Sequence, residues 1–216
     1  MNNKYAIGTV IGAALLGLAK SSLLGSKNDG LTVTSVKELR RHANDPNLAH
    51  LVTRVHLSNK NLTTLPHEIG KLKNLGWLDL MQNQLTTLPP EIGNLTNLIE
   101  LLLNENQLTT LPHEIWNLTN LKYLDLSENQ LRTLPAGIGN LKKFESLDLD
   151  GNQLTTIPPE IGNLKNLKSL WLNRNPKFYM NPEQLHQLIL NGANKYIQKK
   201  IVSANVIPTI SNVRLR

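Results

Sequence analysis

The chain contains no cysteine in its 216 residues, so no disulfide bond can stabilise it. Disulfides are common in secreted proteins and rare where the surroundings are reducing. Nothing in the composition therefore requires an oxidising compartment, and we expect the folded domain to lie in a non-oxidising one. At this length a single domain is expected.

Common signatures of catalysis are also missing. The sequence has no glycine-rich phosphate loop, no G-x-S-x-G and no H-E-x-x-H. Its six histidines do not cluster. His67 and His113 follow equivalent Leu-Pro pairs in separate repeats, and we expect them to lie too far apart to share a metal ion. We predict that the protein is not an enzyme, with no catalytic residue, cofactor, metal or small-molecule substrate.

The hydrophobic run near the start, residues 5–19, is shorter than the ~20 apolar residues of a transmembrane helix. Lys20 could snorkel and residues 21–25 could extend the span, so residues 5–25 could insert into a membrane. Two other interpretations stay open: a helix buried against a partner protein, and an uncleaved signal peptide. We assign residues 1–30 to a hydrophobic anchor or docking segment and its linker.

What the sequence has in abundance is a repeat of 23 residues. Six units begin at Val52, Leu75, Leu98, Leu121, Phe144 and Leu167, five of them complete and one partial. They follow the pattern L-x-x-L-x-L-x-x-N-x-L-T-x-L-P-x-x-I-x-x-L-x-x. This resembles the leucine-rich repeat family, and within it the bacterial repeats and the plant Ras-group-related ones. The resemblance implies an α/β solenoid, a horseshoe with a parallel β-sheet on its concave side.

The unit beginning at Leu98 shows why the repeats must stack. Its apolar residues all face one way, and one unit alone cannot hide them, so its neighbours must. Leu101 and Leu103 alternate with outward-facing Glu100 and Leu102, which predicts a short strand. The ninth position is asparagine in five units, and we predict that its amide satisfies backbone groups where the chain leaves the sheet. Those residues are Asn83, Asn106, Asn129, Asn152 and Asn175, with Lys60 in the first unit.

A stack of repeats needs a cover at each end. Upstream, Ser35 and Glu38 have capping-box spacing, which predicts a helix over residues 35–44 within an N-terminal cap at 31–51. The repeats occupy residues 52–176. Downstream, Asn181 and Pro182 are suited to a helix start. We therefore predict a C-terminal helical cap and basic tail over residues 177–216.

The formal charge of +7 is not evenly spread. Residues 1–51 carry six basic and three acidic side chains, and residues 177–216 carry six and one. The repeats between them carry eleven basic and twelve acidic side chains. The excess thus lies in the flanks, and without aromatic interleaving it does not predict nucleic-acid binding.

The outward strand positions combine acids with aromatic side chains, as suits a basic or amphipathic protein segment. We expect Trp77, Leu102 and Trp171 to be exposed there, at a cost unless a partner covers them. Asp125, Asp148 and Asp150 could bind a cation loosely, but a solvated acidic face is favoured. The predicted partner-binding residues are Trp77, Asp79, Glu100, Leu102, Tyr123, Asp125, Asp148 and Trp171.

The favoured hypothesis is therefore a non-enzymatic protein-binding module, tethered by its hydrophobic start and associated with a membrane or a larger assembly. An alternative is a cementing subunit of a large assembly such as a virion or envelope complex. A third is a bacterial effector that recruits substrates, although no catalytic domain accompanies the repeats.

Overall fold

Seven short parallel strands form one sheet in the computed structural model, which describes residues 30–180. The strands follow one another in the sheet as in the chain: β1 (Leu31–Val33), β2 (Val52–His56), β3 (Trp77–Asp79), β4 (Glu100–Leu102), β5 (Tyr123–Asp125), β6 (Ser146–Asp148) and β7 (Ser169–Trp171). The predicted solenoid with a parallel sheet is confirmed. The sequence did not predict β1, which adds a strand ahead of the first repeat.

Two α-helices lie between β1 and β2. Helix α1 (Val36–Asn44) begins at Ser35, whose hydroxyl accepts the N–H of Glu38 at 3.2 Å. The Glu38 carboxylate reaches back to the N–H of Thr34 at 3.0 Å rather than to that of Ser35. Helix α2 (Pro46–Ala49) follows after Asp45. The C-terminal helix predicted from Asn181 lies outside the described residues.

The apolar repeat positions form a continuous core between the sheet and the opposite side. In the third repeat the seven leucines and isoleucines predicted to point inward are all buried: Leu98, Leu101, Leu103, Leu108, Leu111, Ile115 and Leu118. Opposite the sheet, each complete repeat contributes a short 3₁₀ helix preceded by an extended proline. These helices span His67–Lys71, Pro90–Asn94, His113–Asn117, Ala136–Asn140 and Pro159–Asn163. Among residues 30–180 no helix has both the length and the apolar character to cross a membrane.

The asparagine at the ninth position satisfies backbone groups of two coils at once, as predicted. Asn106 Oδ1 accepts the N–H of Leu85 in the preceding coil at 3.0 Å. Its Nδ2 donates to the carbonyl oxygens of Leu80, also in the preceding coil, and Leu103 in its own, at 2.9 and 3.0 Å. Asn83, Asn129, Asn152 and Asn175 make the equivalent bonds. Each coil is thus hydrogen-bonded to the one before it through a side chain.

A second asparagine column, not predicted from the sequence, ends most repeats. Asn97 Nδ2, for example, donates to the carbonyl oxygen of Lys73 in the preceding coil at 2.9 Å. Asn74, Asn120 and Asn166 make the same bond at 2.7–2.8 Å. In the fourth position of this column Lys143 replaces asparagine, and its ammonium donates instead to Asn120 Oδ1 at 2.6 Å.

Two departures from the repeat compensate each other on the side opposite the sheet. In an ordinary pair of coils, a Cβ on Gly93 would lie 2.7 Å from the Cβ of Glu114, so only glycine fits. In the next coil Trp116 stands in place of that glycine and is 2% exposed. Gly137 then replaces the facing glutamate, and a Cβ there would lie 2.7 Å from Trp116 Cγ. The indole occupies the space that a glutamate side chain fills elsewhere.

We predict that these two positions are energetically coupled. Gly137→Glu alone forces a side chain against the indole and should cost about 1–3 kcal/mol. Trp116→Gly alone leaves a cavity and should cost about 3–5 kcal/mol. The double variant recreates the ordinary Gly–Glu pair and should be more stable than Trp116→Gly. Urea unfolding of the four proteins measures the coupling, and additivity of the single costs to within about 0.5 kcal/mol would contradict it.

Candidate protein-binding surface

The outward-facing side chains of the strands form two columns across the sheet, called here the concave surface. One column runs through Arg54, Trp77, Glu100, Tyr123, Ser146 and Ser169, and the other through His56, Asp79, Leu102, Asp125, Asp148 and Trp171. Both follow from the register, which pairs every residue with the one 23 positions later. All eight predicted binding residues lie on these two columns, so the structure brings them onto one face.

The expected exposure of Leu102 is wrong, and Asp79, another of the eight residues, is buried as well. Leu102 is 4% exposed and Asp79 is 2% exposed, so neither offers appreciable area to a partner. The other six, including Trp77 and Trp171, are half-buried. Because paired strands lie only about 4.8 Å apart, side chains of one column shield each other, which strand alternation alone does not reveal. A large exposed apolar residue that the sequence did not single out is Ile99, 45% exposed just ahead of β4.

A compact polar cluster occupies the N-terminal end of the concave surface. His56 Nδ1 lies 2.8 Å from Asp79 Oδ2, and the imidazole stacks on the Trp77 indole at 5.9 Å between centroids and 7° between planes. Its Nε2 lies 3.3 Å from the hydroxyl of Ser58. No sequence motif indicated this cluster, because Asp79 comes from the coil that follows the one with His56 and Ser58.

The aspartates near the C-terminal ends of the strands share a local turn. The carboxylates of Asp79, Asp125 and Asp148 each accept the N–H of the residue two positions later, at 3.1, 3.0 and 2.9 Å. Asp125 also accepts the Ser127 hydroxyl at 2.6 Å. Burial raises the pKa of Asp125, with Asp150 and Glu105 adding repulsion, while the bonds from Ser127 oppose the shift. The ionised carboxylate of Asp125 therefore lowers the free energy of unfolding at neutral pH.

Lysines flank the acids at the other end of the strands. Lys122 and Lys168 both pair with Glu145, the former at 3.2 Å. The hydrogen bond from Lys168 is the largest effect on the pKa of Glu145 and lowers it. Burial opposes this shift, and the hydrogen bond from Lys122 and the charges of both lysines lower the pKa further. With Lys143 and Asn166 these three side chains line a depression of about 250 Å³. The charge of Glu145 is thus neutralised by its neighbours, as that of Glu128 is by Arg174.

Metal binding finds no support among residues 30–180, where no three histidine or acidic side chains converge to hold an ion. Asp150, one of the three acids considered for a cation, accepts from the backbone and side-chain amides of Asn173 at 2.7–2.9 Å. These acids serve as acceptors for the protein's own N–H groups.

The family model for the leucine-rich repeat region matches residues 33–121 and 109–202. These matches cover most of the chain, which therefore belongs to the leucine-rich repeat family. The fold is a protein-interaction scaffold, and members of the family are typically non-enzymatic interaction modules. Curated protein sequences give no match.

Solved structures resemble the chain over the repeats. The plant peptide hormone receptor RGFR1 in complex with RGF2 is 32% identical over 74% of this chain and 25% of that chain, with a TM-score of 0.59. An internalin from Listeria monocytogenes is 24% identical over 73% and 43%, with a TM-score of 0.58, and shows the fold. A leucine-rich repeat protein from Leptospira interrogans is 31% identical over 67% and 55%, with a TM-score of 0.37. The chain spans between a quarter and just over half of these structures' lengths.

The pKa of Asp125 generates a prediction about stability. The pKa of Asp125 is higher in the folded than in the unfolded protein, where it is about 3.9. Below the unfolded pKa the side chain is protonated in both states and costs no stability. As the pH rises through the folded pKa, the buried group ionises and the free energy of unfolding falls. At pH 7 Asp125→Asn removes the buried charge but keeps an acceptor for Ser127. We expect it to raise the free energy of unfolding at pH 7 relative to the native chain, with the difference vanishing near pH 3.

Glu145→Gln is the matched control of opposite sign. The folded pKa of Glu145 is lowered, so its contribution is present above the unfolded pKa and is lost as the pH falls through the folded one. This variant should be less stable than the native chain at pH 7 and equal to it in acid. Denaturant unfolding across the pH range tests both, and an unchanged or lowered stability of Asp125→Asn at pH 7 would contradict the account of that site.

Proposed function

We propose that residues 30–180 form a recognition module whose concave surface binds a protein partner. The observation that carries the proposal is the combination of half-buried aromatics, Trp77, Tyr123 and Trp171, with a half-buried acid whose charge is costly to the fold. Tryptophan and tyrosine are frequent anchors of protein interfaces. The negative charge of Asp125 destabilises the free protein, and a partner that brings a positive charge beside it would offset that cost.

The chemistry of the surface favours a basic or amphipathic segment as the partner. Asp125 bonds only to Ser127 and has no cationic partner among the described residues. A lysine or arginine of a bound segment would supply one, while the flanking indoles offer apolar area. The plant receptor, 32% identical to this chain, was solved with RGF2, and that complex supports a peptide or protein as the ligand class.

The hydrophobic start supports a tether in this proposal. Residues 5–25 would hold the module at a membrane, and residues 26–30 would link the two. The alternative is that the protein is a cementing subunit of a larger assembly, in which its hydrophobic start and its basic end bind adjacent subunits. The observation behind that alternative is the position of the excess charge, which lies in the flanks rather than in the repeats.

The concave surface is tested by a triple variant carrying Trp77→Ala, Trp171→Ala and Asp125→Lys. Interface aromatics commonly contribute 2 kcal/mol or more, so capture of the partner in a pull-down should fall at least about tenfold. The matched control carries Gln107→Ala, Thr109→Ala and Thr119→Lys, three exposed positions away from both columns. Equal capture by the native chain and the triple variant would refute the concave surface as the site.

The tether is tested by deleting residues 1–25. A membrane anchor predicts that the full chain sediments with membranes and needs detergent, whereas the shortened chain stays in the supernatant and still captures its partner. A cementing subunit predicts that the shortened chain fails to enter the assembly. Release of the full chain from membranes by salt alone would argue against insertion.

A further inference from the structure

Three side chains at the N-terminal end of the concave surface form a directed chain of hydrogen bonds. Asp79 Oδ2 contacts His56 Nδ1 at 2.8 Å, and His56 Nε2 contacts Ser58 Oγ at 3.3 Å. An acid that orients an imidazole, which in turn contacts a hydroxyl, is the arrangement that activates serine nucleophiles on unrelated folds.

Neighbouring groups orient the acid and the imidazole. Asp79 has a side chain only 3% exposed, and its second oxygen accepts the N–H of Met81 at 3.1 Å. His56 lies directly opposite Asp79 in the β2–β3 register, and the Trp77 indole covers one face of its ring. These contacts orient the carboxylate towards the ring and the Nε2 edge of the ring towards Ser58.

The hydrogen bond from the ring to Asp79 also sets the histidine tautomer. An ionised carboxylate only accepts, so in the neutral ring the proton sits on Nδ1. Nε2 then presents its lone pair to Ser58, whose hydroxyl donates to it. This is the protonation state in which an imidazole can remove a proton from the hydroxyl.

The backbone of Ser58 supplies a site for a developing negative charge. In the coils of Asp79, Asp125 and Asp148, the backbone N–H at the position equivalent to Ser58 donates to the carboxylate two residues earlier. In the first coil His56 takes the place of that aspartate, and the N–H of Ser58 donates to no acceptor among residues 30–180. The three later coils thus show that an anionic oxygen fits beside this N–H. Because the N–H and the hydroxyl both belong to Ser58, the N–H lies close to the reacting oxygen.

We propose that Ser58 is an activated nucleophile that takes an acyl group from a carboxylic ester, with His56 as its base and Asp79 as a positioning residue. Ser58 Oγ bonds to the carbonyl carbon while its proton passes to His56 Nε2, and the Ser58 N–H binds the resulting oxyanion. The C–O bond to the alcohol then breaks, and the alcohol takes the proton from His56. Water repeats the sequence to release the carboxylic acid and restore Ser58. This activity is additional to partner binding and does not depend on it.

The test uses p-nitrophenyl acetate with the full-length chain, following p-nitrophenolate release and mapping the acetyl group by peptide mass spectrometry. The native chain should carry acetyl on Ser58, and Ser58→Ala should abolish that adduct. His56→Gln should slow acetylation of Ser58 at least about 100-fold, the lower bound for loss of a general base. Ser127→Ala is the matched control, because the Ser127 hydroxyl bonds to an aspartate without a histidine. It should leave the rate unchanged.

Asp79→Asn separates positioning from stability. It should slow acetylation of Ser58 and remove the downfield proton NMR signal of His56 Nδ1–H, while the melting temperature stays close to that of the native chain. No acetyl on Ser58 of the native chain would overturn the proposal, as would equal rates in the native and His56→Gln proteins. The mapping on the native chain decides the matter even if a variant fails to fold.

Discussion

Each coil of this solenoid depends on a side-chain amide from the coil that follows it. The N–H of Leu85 is satisfied by Asn106, and that of Leu108 by Asn129, across a spacing of 21 residues. These groups lie where the chain leaves the sheet, so no strand ladder can pair them, and a buried unpaired N–H is costly. The same constraint fixes the sheet register, because the amide reaches its partners only when successive coils are aligned without slippage. The two columns of the concave surface are a consequence of that alignment.

The period and the strand alternation were sufficient to predict the sheet, its parallel order, the inward leucines and the ninth-position asparagines. Each of these is a property of one coil repeated, so a single unit specifies it. The predictions failed where the answer depended on neighbouring coils. Leu102 alternates outward and was expected to be exposed, yet it is buried by close lateral packing. The cluster of His56, Ser58 and Asp79 was missed because its acid comes from the following coil.

Departures from the repeat carry information that the consensus does not. Trp116 places a large side chain where other coils have glycine, and Gly137 places glycine where they have glutamate. The total volume stays filled, so packing alone explains this pair. His56 is a departure of a different kind, since it replaces a residue that is aspartate in three later coils and frees the N–H which those aspartates occupy. Lys143 likewise replaces an asparagine that hydrogen-bonds the preceding coil and brings a cation to the lysine flank. The first exchange preserves the fold, whereas the other two change the chemistry of the surface.

Charge on the concave surface is ordered along the strands. In the later coils the lysines precede the strands and the aspartates end them, so Lys122 and Asp125 are three residues apart, about 10 Å. A segment lying across the coils would meet one sign of charge, whereas a segment lying along a strand would meet a reversal. Glu145 pairs with two lysines and so reduces the positive charge ahead of the strands. Within the described residues, no lysine or arginine neutralises Asp125. Asp125 is therefore an acid of the surface whose electrostatic cost the protein leaves uncompensated, and a cationic ligand gains most by contacting it.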